Sequence, residues 1–311
     1  MIDLKTQLTP TTNAIYELYK SRRKNKHRPH LGASQIGNEC ERALWYQFRW
    51  IASPEFEGRM LRLFETGDLE ELRLVQNLKD IGVNVQEIDP DTGWQWTYAD
   101  CGGHFGASLD GIGTGFAEGK KTPCVLEFKT MSEKNFRQVE RHGVEKSKPI
   151  YWAQVHVGMY LAGLDRCKFF AVNKNTDEIY QERIRLDMAF ALQQLSKAQR
   201  VIFSDKPPAK LRNDPSFFLC KFCDYAKVCH YDELPERNCR SCAHSTPEAN
   251  GTWSCAFHKK QLSVNEQRAG CDKHVYNPYA MPWPVHDAGD SWVEYDAGDG
   301  EIKRDENGVV G

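Results

Sequence analysis

Apolar side chains recur at Leu61, Phe64, Leu72, Val75 and Leu78, three or four residues apart within a polar stretch. This spacing predicts one long amphipathic helix over 58–82. Residues 83–88 and 94–98 read as short strands, and 104–112 and 123–130 as strands joined by a Gly-rich connection. A helix is predicted over 150–161, strands over 167–172 and 179–184, and a further helix over 187–203 that Pro207-Pro208 stops. A helical stretch is also expected near 15–19. Helices on a short mixed sheet make an α/β core.

Composition divides the chain. Residues 1–30 are polar and basic, with six cations packed into 20–28: Lys20, Arg22, Arg23, Lys24, Lys26 and Arg28. The α/β pattern occupies 31–235. Cysteine, histidine and turn formers dominate 236–285, which predicts a separate small module. Residues 286–311 hold eight acids against two bases and are rich in Gly and Asp, which predicts a flexible acidic tail.

A net charge of -2 over 311 residues excludes a globally basic DNA-coating protein. Eleven cysteines with no N-terminal apolar leader point to a reducing, cytoplasmic setting in which thiols pair with metals. No apolar run approaches the ~18 residues needed to cross a bilayer, so no membrane partner is expected.

Glu-x-Lys occurs three times, at Glu118–Lys120, Glu127–Lys129 and Glu301–Lys303, but only the second lies in an apolar run. On a strand, Glu127 and Lys129 project from one face. Asp110 supplies a second carboxylate near the end of a neighbouring strand, and antiparallel pairing would bring it to Glu127. Two hard carboxylates suit Mg²⁺ or Mn²⁺, and a lysine adds a compact cation that can orient water and offset charge at phosphorus. The competing reading is a surface ion pair on an edge strand.

Gly67-x3-Glu71, Asp110, Glu127-x-Lys129 and Tyr151-x2-Gln154 together resemble the motif series of the PD-(D/E)XK nucleases, most similar to the branch holding lambda exonuclease and RecB-type domains. The resemblance spans residues 30–230. It implies a restriction-endonuclease-like core, a central mixed sheet flanked by helices, in which Glu71, Asp110 and Glu127 bind metal. Lys129 would assist water attack and Gln154 would position the metal network or a phosphate. Glu70 is the rival to Glu71.

Cys220, Cys223 and Cys229, spaced C-x2-C-x5-C, can be completed by the distant Cys40. Four thiolates fit either zinc or an iron–sulfur cluster, and spacing alone leaves both open. The arrangement resembles the iron–sulfur RecB-like exonucleases, including AddB-type and CRISPR spacer-acquisition enzymes, which implies a 4Fe–4S cluster clasping both ends of the nuclease core. Gly32-Ala33-Ser34 is similar to the segment with which lambda-type exonucleases hold a terminal phosphate, so the resemblance implies Ser34 and Arg42 as DNA-end ligands. A helix N-cap is the competing role for Ser34.

Cys239, Cys242, Cys255 and Cys271 read as a second site, a zinc staple for a small turn-rich module, with His244, His258 and His274 as competing ligands. The function expected from this set is a divalent-metal-dependent exonuclease acting on single- or double-stranded DNA ends. Similar layouts suggest a phage setting, with a recombination or single-strand-binding partner and a possible oligomer. A non-catalytic DNA-binding subunit and a structure-dependent endonuclease are the alternatives.

Overall fold

The computed structural model describes residues 9–23 and 27–311; Lys24 and Lys26 of the basic run lie outside them. The described chain enters through α1 (Pro10–Arg22), makes a two-residue strand, β1 (Leu31–Gly32), and two short helices, α2 (Ala33–Ile36) and α3 (Glu41–Phe48). The amphipathic stretch then forms α4 (Gly58–Asp80), which buries Leu74, Val75 and Leu78. Gly58 admits a close crossing of α1, since a Cβ there would stand 2.2 Å from the Tyr16 carbonyl oxygen.

Strands β2 (Asn84–Gln86), β3 (Thr97–Asp100), β4 (Phe105–Ser108), β5 (Gly111–Thr114) and β6 (Cys124–Met131) follow. The single strand expected over 104–112 is two. β4 lies between β1 and β3 in a small sheet, whereas β5 pairs with β6 in the central one. The break falls where Leu109 turns into the core and Asp110 reaches the backbone of β6.

The central sheet is completed by β7 (Arg166–Asn173) and β8 (Ile179–Arg185), in the order β2-β5-β6-β7-β8; β6 and β7 run parallel and the other pairs antiparallel. Between β6 and β7 lie α5 (Glu133–Ser147) and α6 (Pro149–Leu161), and α7 (Met188–Phe203) follows β8. α5 is absent from the sequence expectation because it buries only Phe136, Val139 and Val144 within a polar run. One face of the sheet, with Leu126, Phe128, Phe170 and Val172, packs on α4. The other, with Val125, Phe169 and Ala171, packs under α5 and α6. Each such fully buried side chain contributes roughly 1.5–3 kcal/mol. The result is a mixed α/β architecture.

Beyond it come α8 (Phe218–Lys221), α9 (Ala226–His230), a three-stranded sheet of β9 (Ser245–Pro247), β10 (Trp253–Cys255) and β11 (Lys260–Leu262), and α10 (Val264–Ala269). The cysteine-rich region does not stand apart. Cys239, Trp253, Cys255 and Leu262 share one buried cluster with Leu31, Trp45 and Phe48. Arg240, 1 % exposed, donates to the carbonyls of Pro29 and Phe48 and to Gln267 while lying 3.9 Å over the Trp50 ring. Gly102 and Gly251 meet backbone to backbone, where a Cβ on Gly251 would fall 1.9 Å from the Gly102 oxygen.

The expected flexible tail is instead an antiparallel sheet of β12 (Val285–Ala288), β13 (Trp292–Gly298), β14 (Glu301–Glu306) and β15 (Val309–Val310). Its hairpins turn at Asp299-Gly300 and Asn307-Gly308, all four with positive φ, as tight two-residue turns require. Tyr295 and Asp305 are fully buried within it.

Candidate active site

β6 carries Glu127 and Lys129 on the face beneath α6, and the carboxylate and ammonium form an ion pair. Lys129 Nζ also donates to the Phe128 carbonyl at 3.2 Å and sits 5.4 Å over the Tyr151 ring. The β5–β6 register pairs Gly111 with Leu126, which sets Asp110 beside Glu127. Asp110 Oδ2 accepts the Phe128 N–H at 2.7 Å. α4 passes the end of β6 at Gly67, where an added Cβ would lie 3.7 Å from Thr130 Oγ1. One turn later Glu71 enters the same cleft.

Asp68, Glu70, Glu71, Asp110, Lys129 and Lys174 supply the charged lining of this cleft, a volume of about 440 Å³. Glu70 is engaged by Arg73 at 2.8 Å. Glu71 instead feels the field of the buried group: burial and the Asp110 charge push its carboxyl up to about 7, against the pull of Lys129. Burial likewise pushes Glu127 up to about 7, opposed by Lys129 and reinforced by Asp110 and Glu71. Asp110 is raised by burial, with Lys129 and the Phe128 N–H opposing. Burial works against the Lys129 charge, but Glu127 and Asp110 outweigh it and hold the ammonium protonated.

Glu71, Asp110 and Glu127 thus all act on the Lys129 ammonium, and with Asp68 and Glu70 the acids outnumber Lys129 and Lys174, a deficit of positive charge that a hard divalent cation would fill with the oxygen donors it prefers. Among the described residues, no group of three or more His, Cys, Asp and Glu stands in an arrangement that could hold a metal ion as it is. Glu127 faces Lys129 in this state. The fit lies in donor chemistry and charge.

The other expected residues sit elsewhere. Gln154 is half-buried on α6 and, unlike Tyr151, is not among the cleft-lining side chains. Ser34 is inside α2, whose N-cap is Gly32, so it does not cap. Arg42 donates to Tyr46 Oη at 2.8 Å and to the Pro208 carbonyl at 2.9 Å, and neither Ser34 nor Arg42 lines the acid cleft. Lys174 and Thr130 line it without having been singled out; the available signal is a lysine directly after the apolar run of β7.

Cys40, the N-cap of α3, lines one cavity of about 550 Å³ with Cys220, Cys223 and Cys229. Burial and then the Cys40, Asp224 and Cys229 charges push the Cys223 thiol up to about 11, against a backbone N–H. Burial raises Cys229 as well, with Cys40 and Cys220 adding to it. Cys239, Cys242, Cys255 and Cys271 line a second cavity of about 320 Å³ with His244, His258 and His274. Cys239 is pushed up to about 12 by burial and the three other sulfurs. All eleven cysteines are free thiols. Each quartet lines one cavity, but among the described residues neither stands in an arrangement that could hold a metal ion as it is. His274 Nε2 already contacts the Asn238 carbonyl at 3.1 Å, whereas His244 Nε2 is buried without a partner.

No family model and no curated protein matches the chain. Among solved structures it is similar to LHK-Exo in complex with dAMP, at 19% identity and TM-score 0.37, covering 56% of this chain and 86% of that one. It is similar to the alkaline exonuclease LHK-Exo from Laribacter hongkongensis at 21% identity and TM-score 0.37, covering 60% and 90%. For SSO0001 the values are 17% identity and TM-score 0.40, covering 70% and 92%. Among the described residues no helix is long and apolar enough to cross a membrane.

Proposed function

We propose that this chain is a divalent-metal-dependent deoxyribonuclease that hydrolyses phosphodiester bonds from DNA ends. One observation carries the reading: Glu71 and Asp110 line one cleft with Lys129, the buried Glu127 pairs with that ammonium just behind the lining, and all three acids act on each other's charge. Glu71, Asp110 and Glu127 would hold Mg²⁺ or Mn²⁺. Such an ion supplies charge to phosphoryl oxygens and acidity to water. Lys129, kept protonated by its neighbours, orients the attacking water and offsets charge developing at phosphorus. Tyr151 walls its far side. Cys40, Cys220, Cys223 and Cys229 would hold a 4Fe–4S cluster and Cys239, Cys242, Cys255 and Cys271 a zinc ion, both in structural roles.

The test is loss of linear duplex with Mg²⁺ or Mn²⁺, abolished by Lys129→Ala. Wild type that binds DNA but never cuts it would favour a non-catalytic subunit. Equal cutting of covalently closed circles would make it an endonuclease.

A further inference from the structure

The β7–β8 hairpin carries a second charged feature away from the acids. Its register sets Arg166 opposite Arg185 and Lys168 opposite Arg183. Like charges facing each other across strands cost stability. Together the four line an open cavity of about 500 Å³ that has Trp152 on its wall and no acid among its lining side chains.

Two of the cations have acidic neighbours. Lys168, 3 % exposed, meets Glu118 at 2.8 Å, and Arg166 lies 3.5 Å from Asp165 and 3.1 Å from Thr122 Oγ1. That geometry leaves Arg166 Nε buried without a hydrogen bond. Arg183 and Arg185 are exposed, and among the described residues no carboxylate lies within ion-pair distance of either. The cluster holds more positive charge than the fold compensates.

Its place in the fold ties it to the cleft. β8 is the outer strand of the central sheet, and its exposed side chains on the cation side are Ile179, Gln181, Arg183 and Arg185, neutral or basic throughout. At the other end of the hairpin, Lys174 lines the acid cleft. From Lys174 back to Arg166 the strand covers about 25 Å. One strand of a B-form duplex, at about 3.4 Å per nucleotide, spans that in roughly seven nucleotides, and an extended single strand in fewer.

Resting on the nuclease reading above, we propose that Arg166, Lys168, Arg183 and Arg185 form a second DNA contact, which grips the phosphate backbone along the outer edge of the sheet, about 25 Å from Lys174 at the cleft rim. The cations neutralise phosphates, and the like-charge pairs become favourable once an anion lies between them.

The test uses the full chain carrying Arg183→Glu and Arg185→Glu, both at exposed positions, with circular dichroism to confirm folding. Fluorescein-labelled single strands of about twenty and about two nucleotides, one able to span the distance and one too short even when extended, are titrated in EDTA at several salt concentrations. Expected is at least an about tenfold weaker grip on the long strand, a salt slope smaller by about 1.4, and no change for the short strand. An unchanged slope, or equal loss on both lengths, would overturn the proposal. So would polyglutamate displacing the long strand from wild type as well as unlabelled DNA does, which would make the cluster a dock for acidic peptides. Wild type that shows the patch-dependent slope yet never cleaves would sink the nuclease reading and leave this contact standing. Cleavage of long DNA equal in wild type and variant, with equal binding, would do the reverse.

Discussion

Asp110 is tied to the backbone N–H of Phe128, the residue that separates Glu127 from Lys129, by a 2.7 Å hydrogen bond. One carboxylate oxygen therefore fixes the strand that carries the other two groups, while its charge acts on both of them. Asp110→Asn keeps an acceptor for that N–H and removes only the charge. The expected outcome is a retained fold and melting temperature with DNA hydrolysis reduced on the order of 10²–10³-fold, as for other preorganised electrostatic groups. Single-turnover kinetics with Mg²⁺ measures it, and near-wild-type rates would remove Asp110 from the site.

Cys40 lies 180 residues before Cys220, yet both line one cavity. A shared centre there would cross-link a long loop, worth about 3–5 kcal/mol by analogy with long-loop disulfides. Cys40→Ser is expected to lose visible absorbance, iron content and thermal stability together in anaerobically purified protein. Full iron with an unchanged melting temperature would separate Cys40 from the other three cysteines.

Arg240 is a buried cation with no carboxylate in ion-pair range among the described residues, and burial, with Arg49 and Arg268, pushes its pKa down to about 9. Its role is to satisfy two carbonyls and Gln267 where the cysteine-rich region meets α3. Arg240→Met leaves those acceptors dry and is expected to cost about 3 kcal/mol. Denaturant unfolding checks this, and a change below about 1 kcal/mol would mean that the clamp does not hold the cysteine-rich region to α3.

Asp305, fully buried, accepts the Tyr276 N–H at 2.6 Å, but burial pushes its carboxyl up to about 6. Because the folded value lies above the unfolded one, this group's contribution is fully present below about pH 4 and is lost as pH rises through about 6. The loss is about 3 kcal/mol for a shift of that size. Asp305→Asn keeps the acceptor and should flatten this limb, and hydrogen exchange of the C-terminal sheet between pH 4 and 7 would show it. Identical pH dependence in both proteins would mean that folding leaves the Asp305 pKa unshifted.

The periodic elements were legible because their burial is one-sided. α4 was legible through Val75 and Leu78, although Phe64 and Leu72 of the same stripe are exposed and the buried Leu74 lay outside it; β6 was legible through an apolar run that Glu127 and Lys129 interrupt. The C-terminal sheet was not, because Asp and Gly were read as signs of disorder. Asp299-Gly300 and Asn307-Gly308 are the dipeptides that close two-residue hairpins, and alternation through Val293 and Tyr295 flanks the first. Within the cleft, strand spacing gave Glu127 and Lys129, and the antiparallel pairing gave Asp110. Lys174 was marked only by following the apolar run of β7, and its place in the cleft depended on where that hairpin turns in space.

The backbone contact of Gly102 with Gly251, beside the Arg240 clamp, has a practical reach. A stop codon at position 235 would strip Trp253 and Leu262 from around Leu31, Trp45 and Phe48 and leave an oily scar on the remaining fragment. Anyone trimming this chain to its first 235 residues should therefore expect inclusion bodies; substituting cysteines in the intact polypeptide is the sounder way to ask what the second half does.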